Sequence, residues 1–195
     1  MAEEARFARI VSIAAHDLST PLATVYGFAR TLARTELEEP TARYVEMIEA
    51  ASEQLRELTE ELALVARIES GRYNPVLADA DTLELAREVA VELPERVEVS
   101  GEGATVKVDP DATGRALSRL AKAASRHGGI DSVSLVVRGT ELEISPLLRS
   151  AAGVVTGEEL RELGAVAAVE HLRALGVTVA AEDERLLIRF PGEPG

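Results

Sequence analysis

The stretch Phe7–Leu32, FARIVSIAAHDLSTPLATVYGFARTL, decides the fold of the N-terminal part of the chain. Its apolar residues recur at alternating steps of four and three, which is the spacing of a coiled-coil seam on an α-helix. We therefore predict one helix from about Glu4 to Arg34. His16 falls at the outermost heptad position, so we expect it to face water rather than to be a core histidine. The predicted seam is Phe7, Val11, Ala14, Leu18, Pro21, Val25, Phe28 and Leu32.

A short chemical motif lies inside this helix, His16-Asp17-Leu18-Ser19-Thr20-Pro21-Leu22. A histidine is followed at once by a carboxylate, and Thr20 comes four residues later along nearly the same face. Pro21 is unfavourable at such a position, because a proline in a helix interior costs about 3 kcal/mol. Strain of that kind beside an exposed His-Asp pair indicates a functional site.

The motif resembles the H box of the histidine-kinase family, His-Asp/Glu-x-x-Thr/Asn-Pro-Leu, at every specified position. The continuation, Val25-Tyr26-Gly27-Phe28-Ala29, is also similar to that family. The resemblance implies that His16 accepts a phosphoryl group. It also implies that the residue matching Thr20 helps to place water for dephosphorylation, although Thr20 could equally be a surface residue bonded to its own backbone.

A second helix is predicted to run to about Ser70, after a connection from Glu36 to Pro40. The two helices form an antiparallel hairpin that carries apolar residues beyond the seams. A lone hairpin cannot cover so wide a stripe, so we expect two copies to form a dimeric four-helix bundle, unless the surplus packs on the C-terminal part. The second seam is Tyr44, Ile48, Ala51, Leu55, Leu58, Leu62 and Val65.

The stretch 71–75, Gly-Arg-Tyr-Asn-Pro, breaks the helical pattern and divides the chain into domains 1–74 and 75–195. The second domain is predicted to be an α+β sandwich with helices on one face of a mostly antiparallel sheet. Its element order resembles the ATP-binding domain of histidine kinases. We predict helices at 82–93, 111–127 and 157–175, and strands at 96–99, 105–108, 132–138, 141–145, 178–181 and 186–190.

Composition excludes several classes of function. The 195 residues include no cysteine, so disulfides, thiol nucleophiles and thiolate metal sites are ruled out. The net charge of −13 disfavours nucleic acids and anionic membranes as partners. The sequence has no apolar run of membrane-spanning length and no basic signal-peptide start, so we expect a cytoplasmic protein.

The resemblance can be tested at the family's nucleotide-binding positions. The two N-box asparagines, one of which holds Mg²⁺ in the family, are replaced by Arg119 and Ala123. The Asp-x-Gly-x-Gly box is replaced by Ile-Ser-Pro-Leu-Leu at 144–148, and only residues 146–155 remain for the loop that closes over the triphosphate. Glu162 puts a negative charge beside the glycine turn at Gly164, where phosphate would sit. We therefore expect a degenerate ATPase-like domain that binds no cofactor.

A phosphoacceptor bundle joined to a degenerate kinase domain resembles the dimeric bacterial histidine phosphotransferases of phosphorelays. The short segment before His16, with no room for a sensor, also fits them. In this interpretation His16 passes phosphoryl groups between the aspartates of response-regulator receiver domains, and Asp17 orients the imidazole. Mg²⁺ would come with the receiver, because the sequence shows no cluster with metal-ligand spacing.

The receiver is expected to dock beside His16 on the outer stripe of the first helix. Small residues at Ala23 and Gly27 would let a partner helix approach, and Arg9 and Arg30 could pair with receiver acids. The alternative is an ordinary solvated face. His127 and His171 lie outside any cluster and are predicted to have no chemical role.

Two other functions stay open on the sequence alone. The chain could be an ATP-dependent sensor kinase core with an atypical nucleotide site. It could also be a non-catalytic pseudo-kinase scaffold that binds a partner without accepting phosphate.

Overall fold

The computed structural model describes residues 2–35, 37–93 and 96–192, without the side chains of residues 2–10, 12 and 13. It divides into two compact parts, Met1–Tyr73 (unit 1) and Asn74–Gly195 (unit 2). Glu36, at the start of the predicted connection, lies outside the described residues. No helix in the described ranges is both long and apolar enough to cross a membrane.

Unit 1 is a hairpin of two long helices, α1 (Ala2–Leu32) and α2 (Thr41–Glu69). α2 ends where Gly71 adopts φ +65°, a left-handed conformation that glycine reaches without a steric penalty. The N–H of Arg72 then donates to the carbonyl of Arg67 at 2.9 Å, which satisfies one of the free carbonyls of the last turn. The predicted helical hairpin is confirmed.

The contact between α1 and α2 does not follow the predicted seam. Ala15 and Ala29 of α1 are buried, whereas Leu18 and Phe28 of the predicted seam are 54% and 68% exposed. Small side chains allow two helix axes to approach closely, so the helices meet along their small residues and the bulky ones stay outside the contact. On α2 the buried small or β-branched residues are Val45, Ser52 and Ala66.

The hairpin therefore leaves one large hydrophobic surface, which we call the apolar face. It carries large side chains from both helices. Single exposed hydrophobic residues are common on protein surfaces, whereas a contiguous group of them is unusual. Its described members are Leu18, Val25, Phe28, Leu32, Tyr44, Met47, Ile48, Leu55 and Leu58.

Unit 2 is an α+β sandwich, which confirms the predicted fold class. Its helices are α3 (Thr82–Glu92), α4 (Pro110–Gly128), α5 (Arg149–Val155) and α6 (Leu163–Ala174). Its strands are β1 (Ala78–Asp81), β2 (Val97–Gly103), β3 (Thr105–Val108), β4 (Val133–Gly139), β5 (Glu141–Ser145), β6 (Thr178–Glu182) and β7 (Arg185–Arg189).

Five strands form the main sheet in the order β2-β4-β5-β7-β6, and β1 pairs with β3 in a small separate sheet. Only the β2–β4 pair of the main sheet is parallel. Alternate residues of the central strands are buried against the helices, as the period of two requires. These core residues include Val133, Leu135, Val137, Leu142, Ile144, Leu186 and Ile188.

Several elements of unit 2 differ from the sequence prediction. The helix predicted at 157–175 begins only at Leu163, because Gly157 has φ +76°, which an α-helix does not accommodate. Residues 149–155, predicted as a connection, form the separate helix α5. Strand β1 was not predicted, since its sequence, Ala-Asp-Ala-Asp, lacks the β-branched and aromatic residues that mark strands.

Candidate functional site

The centre of the candidate site is His16, which lies in α1 with its side chain exposed. Its neighbour Ala15 is 1% exposed and forms part of the contact with α2. Because successive helix positions are about 100° apart, burial of Ala15 turns His16 away from the hairpin contact. Asp17 and Thr20 are also exposed, so the side chains of His16, Asp17 and Thr20 are all accessible from solvent.

The imidazole and the carboxylate are not engaged elsewhere within the part of the chain that the structure describes. Neither His16 nor Asp17 makes a side-chain hydrogen bond or ion pair there. The Thr20 hydroxyl likewise makes no hydrogen bond to a described backbone acceptor. The alternative that Thr20 is bonded to its own helix is therefore not what the structure shows.

Other hydroxyls near the site do bond to the helix backbone. Ser19 Oγ donates to the carbonyl of Ala15 at 2.8 Å, and Thr24 Oγ1 donates to the carbonyl of Thr20 at 3.1 Å. Such bonds are the usual way for a helical Ser or Thr to satisfy its hydroxyl. They leave the side chains of His16, Asp17 and Thr20 as the outward-facing polar groups of this turn.

The structure describes three of the four residues of the predicted docking stripe with their side chains. Ala23, Gly27 and Arg30 are exposed, and the side chain of Arg9 lies outside the described residues. A Cβ built on Gly27 would meet nothing within 4 Å. Glycine lowers helix stability by up to about 1 kcal/mol relative to alanine. Because a larger side chain would fit at this position, packing inside the hairpin does not explain why residue 27 is glycine.

A polar cluster that sequence reasoning missed connects α1 with α2 on one flank of the hairpin. The Arg30 guanidinium lies over the Tyr26 ring, 5.9 Å from its centroid. On α2, Arg56 donates to Glu53, with an Nε–Oε2 distance of 3.1 Å, and also pairs with Glu60. We call Tyr26, Arg30, Glu53, Arg56 and Glu60 the flank cluster; the Glu-x-x-Arg-x-x-x-Glu spacing was its only sequence signal.

Residues of both helices affect the pKa of Glu53 in the flank cluster. The hydrogen bond from Arg56 lowers the pKa of the Glu53 carboxyl, and burial opposes this. The charges of Arg56 and Arg30 and a hydrogen bond from Tyr26 lower it further. Arg30, predicted to be a docking residue, is thus already oriented by groups of the hairpin itself.

In unit 2, the structure locates the residues that stand at the nucleotide-binding positions of the histidine-kinase family. Ala123 is fully buried in the hydrophobic core, and its methyl group cannot coordinate a metal. Leu147, in the stretch that replaces the Asp-x-Gly-x-Gly box, is also buried in that core. Glu162 directs its carboxylate at α4, with Oε1 3.1 Å from Arg126 Nη1 and Oε2 2.8 Å from His127 Nε2.

The two remaining histidines, His127 and His171, lie in helices α4 and α6 of unit 2. The contact with Glu162, rather than a helix-dipole contact alone, is the principal interaction of His127. His171 is 1% exposed, and burial lowers its pKa to about 4, with Asp109 opposing the shift and Arg115 and Arg119 reinforcing it. Across the described residues, no group of three or more His, Asp or Glu side chains is arranged to hold a metal ion.

Comparison with known proteins gives one family match, and it lies on the hairpin. Residues 8–71 match the family of His Kinase A (phospho-acceptor) domains. No curated protein matches the chain.

Solved structures show the same fold as the chain. The full-length structure of ShkA in complex with AMPPNP superposes with a TM-score of 0.69 at 21% identity, covering 94% of this chain and 45% of ShkA. The histidine kinase AdeS of Acinetobacter baumannii gives 0.59 at 14% identity, covering 92% of this chain and 98% of that one. The ATP-binding domain of PrrB from Mycobacterium tuberculosis gives 0.50 at 22% identity, covering 60% of this chain and 98% of the domain.

The chain thus spans less than half of the length of ShkA. The similarity to these structures concerns the fold, whereas the family match concerns the sequence around His16. Residues 8–71 therefore match the His Kinase A (phospho-acceptor) domain family, and the chain as a whole has the fold of solved histidine kinases.

Proposed function

We propose that this chain is a cytoplasmic histidine phosphotransferase of a two-component phosphorelay. His16 takes a phosphoryl group from the aspartyl phosphate of one response-regulator receiver domain and passes it to the aspartate of another. The observation that carries the proposal concerns His16. It is exposed, makes no side-chain hydrogen bond or ion pair within the described residues, and lies in the segment that matches a phospho-acceptor domain. A relay histidine must be approachable by two different proteins in turn.

The chemistry consists of two displacements at phosphorus. A ring nitrogen of His16 attacks the phosphorus of the aspartyl phosphate, a P–N bond forms, and the P–O bond to the aspartate carboxylate breaks. The second receiver's carboxylate then attacks the phosphohistidine, and the imidazole leaves. Such transfers depend on in-line positioning and charge neutralisation, and Mg²⁺ would be held by the receiver.

Asp17 is proposed to orient the imidazole. An ionised carboxylate next to the ring can accept its second N–H and so favour the tautomer whose other nitrogen attacks. Thr20, whose hydroxyl is exposed, is proposed to position water for hydrolysis of the phosphohistidine.

The receiver is proposed to dock on the stripe of Ala23, Gly27 and Arg30, with Arg9 at its other end. The open space around Gly27 supports a close approach there, and the flank cluster extends the charged part of the surface onto α2. The apolar face is proposed to be covered by a second copy of the hairpin in a four-helix bundle, because a hydrophobic surface of this extent is unfavourable in water.

ATP is proposed not to be the phosphoryl donor. The support is the burial of Ala123 and the pairing of Glu162 with Arg126 and His127. An uncharged core methyl cannot replace a metal ligand, and a carboxylate repels phosphate.

An ATP-dependent histidine kinase is the second candidate, and the comparisons favour it. The family match is to a kinase phospho-acceptor domain, and the similar structure of ShkA was solved with AMPPNP. In that case Mg-ATP would bind unit 2 through residues other than those of the family pattern.

One labelling experiment separates the candidates. The purified full chain is incubated with Mg-[γ-³²P]ATP alone, or with receiver domains of its own genome phosphorylated by ³²P-acetyl phosphate and freed of it. The relay predicts acid-labile, base-stable label from a phosphorylated receiver only, and none on a His16→Ala variant. Label from ATP alone would establish the kinase, and no label from either source would leave a scaffold.

A further inference from the structure

The residues 146–162, which connect β5 to α6, form an ordered part of the unit 2 core. Helix α5 within this segment packs against both α4 and α6. Ala151, Val154 and Val155 are fully buried in the cluster that includes residues of both neighbouring helices. A connection that only joined two elements over the surface would not contribute core residues.

Polar contacts fix the same segment to both helices. Ser150 Oγ donates to the carbonyl of His127, the penultimate residue of α4, at 2.7 Å. Arg173 of α6 donates from Nη2 to the carbonyl of Thr156 at 2.9 Å. The segment also closes on itself, because the N–H of Glu159 donates to the carbonyl of Gly153 at 2.8 Å.

Glu162 completes this arrangement at the end of the segment. It holds the N-cap position of α6, yet its carboxylate makes no capping bond. The carboxylate instead bonds to Arg126 and His127 at the C-terminal end of α4. Its side chain is only 20% exposed, so the contact is partly shielded from solvent and is stronger than a fully exposed pair.

We propose that residues 146–162 are an internal plug that packs against both α4 and α6, and that Glu162 fastens it. This end of unit 2 is then closed by its own chain and needs no ligand to order the segment between β5 and α6. This explains why the segment that lies between β5 and α6 contributes the buried aliphatic residues Ala151, Val154 and Val155 to the core. The inference rests on the proposed function, because a relay protein does not need a bound nucleotide to close unit 2.

The test measures amide hydrogen exchange on the full chain. The proteins are the wild type, Glu162→Gln, and the matched control Glu158→Gln, which changes an exposed carboxylate of the same segment. Each is measured alone and with an excess of Mg-ATP. Wild-type amides in 149–156 are expected to be protected like those of α4, with no change on adding Mg-ATP.

Loss of the Glu162 contacts is expected to accelerate exchange in 149–166 by about tenfold, the effect of one charge-assisted hydrogen bond on a local opening equilibrium. Exchange in β4 and β5, and throughout Glu158→Gln, is expected to stay unchanged. Three outcomes would each overturn the plug. The wild-type amides in 149–156 could be unprotected, the exchange of Glu162→Gln could equal that of wild type, or Mg-ATP could slow exchange in the segment. If Glu162→Gln unfolds, the wild-type measurements still decide.

Receiver-dependent labelling of His16 on the same three proteins keeps the two proposals apart. Loss of labelling with a protected plug contradicts the relay alone. Normal labelling with an unprotected segment contradicts the plug alone.

Discussion

At the scale of single residues, the sequence predicted the exposed motif of unit 1 but not the flank cluster beside it. Seven consecutive residues, His16–Leu22, carry the motif, and local helix geometry alone places His16 and Thr20 on adjacent positions. The flank cluster was not predicted, because the contact of Tyr26 and Arg30 with Glu53 depends on the register between two helices. No local pattern encodes that register.

Asp17→Asn tests the orienting role. We expect receiver-to-His16 transfer to slow by about a hundredfold, the lower end of what a positioned acid or base contributes. Rapid-quench measurement of labelled phosphohistidine gives the rate. Ser19→Ala is the matched control, since Ser19 bonds only to the helix backbone; an unchanged rate in Asp17→Asn would contradict the role.

A pH effect is expected at Glu143 on the outer face of the main sheet, where it pairs with Arg138 at 2.9 Å and Arg185 at 3.4 Å. Burial raises the pKa of this carboxyl, but the hydrogen bond and charges of the two arginines outweigh burial and leave the pKa below its ordinary value. A lowered pKa means that the contribution to stability is present above the unfolded-state pKa. It is lost as pH falls through the folded-state pKa.

Glu143→Gln should therefore lower the free energy of unfolding at pH 7 by about 1 kcal/mol. The variant should also lose less stability than wild type between neutral and acid pH. Urea unfolding at a series of pH values measures both quantities. Glu98→Gln, an exposed position on β2, is the control; equal pH profiles for Glu143→Gln and wild type would refute the prediction.

At the scale of elements, periodicity predicted most helices and strands, and the failures have physical causes. β5 was predicted at its observed bounds because its apolar residues alternate and a tight turn at Gly139-Thr140 precedes it. α5 was missed because seven residues are too few to show a helical period. The apolar stripe on α1 was recognised, but which edge faces α2 depends on side-chain volumes in both helices.

Gly27 provides a test at the level of the helix. Gly27→Ala should stabilise the hairpin by up to about 1 kcal/mol, because a helical alanine is favoured and the new methyl meets no atom. Gly27→Phe should fold equally well but slow phosphoryl transfer from a receiver, since the ring would stand in the docking stripe. Thermal unfolding and the transfer assay together decide, and an unchanged transfer rate in Gly27→Phe would contradict docking there.

At the scale of the whole molecule, the sequence predicted two domains and their fold classes, because the break at Gly71 and the change of period on either side are both local signals. The sequence alone does not determine whether a second chain covers the apolar face. Apolar spacing shows that a surface needs a partner but does not identify it.

The dimer can be tested by light scattering coupled to gel filtration. Wild type is expected at twice the 20.8 kDa of the chain, and Phe28→Glu, which buries a charge in the apolar face, at the single mass. Thr31→Glu, at an exposed position outside that face, should keep the double mass. A single mass for wild type at micromolar concentration would contradict the four-helix bundle.

Pro21 has a mechanical consequence for α1. It has no N–H to give to the carbonyl of Asp17, so the helix lacks one rung of its ladder next to the phosphoacceptor. A helix bends most easily where a backbone hydrogen bond is missing. In the proposed relay, a small change in the bend of α1 at Pro21 would reorient the His16 imidazole. The same histidine would then reach two receiver domains that dock in different orientations.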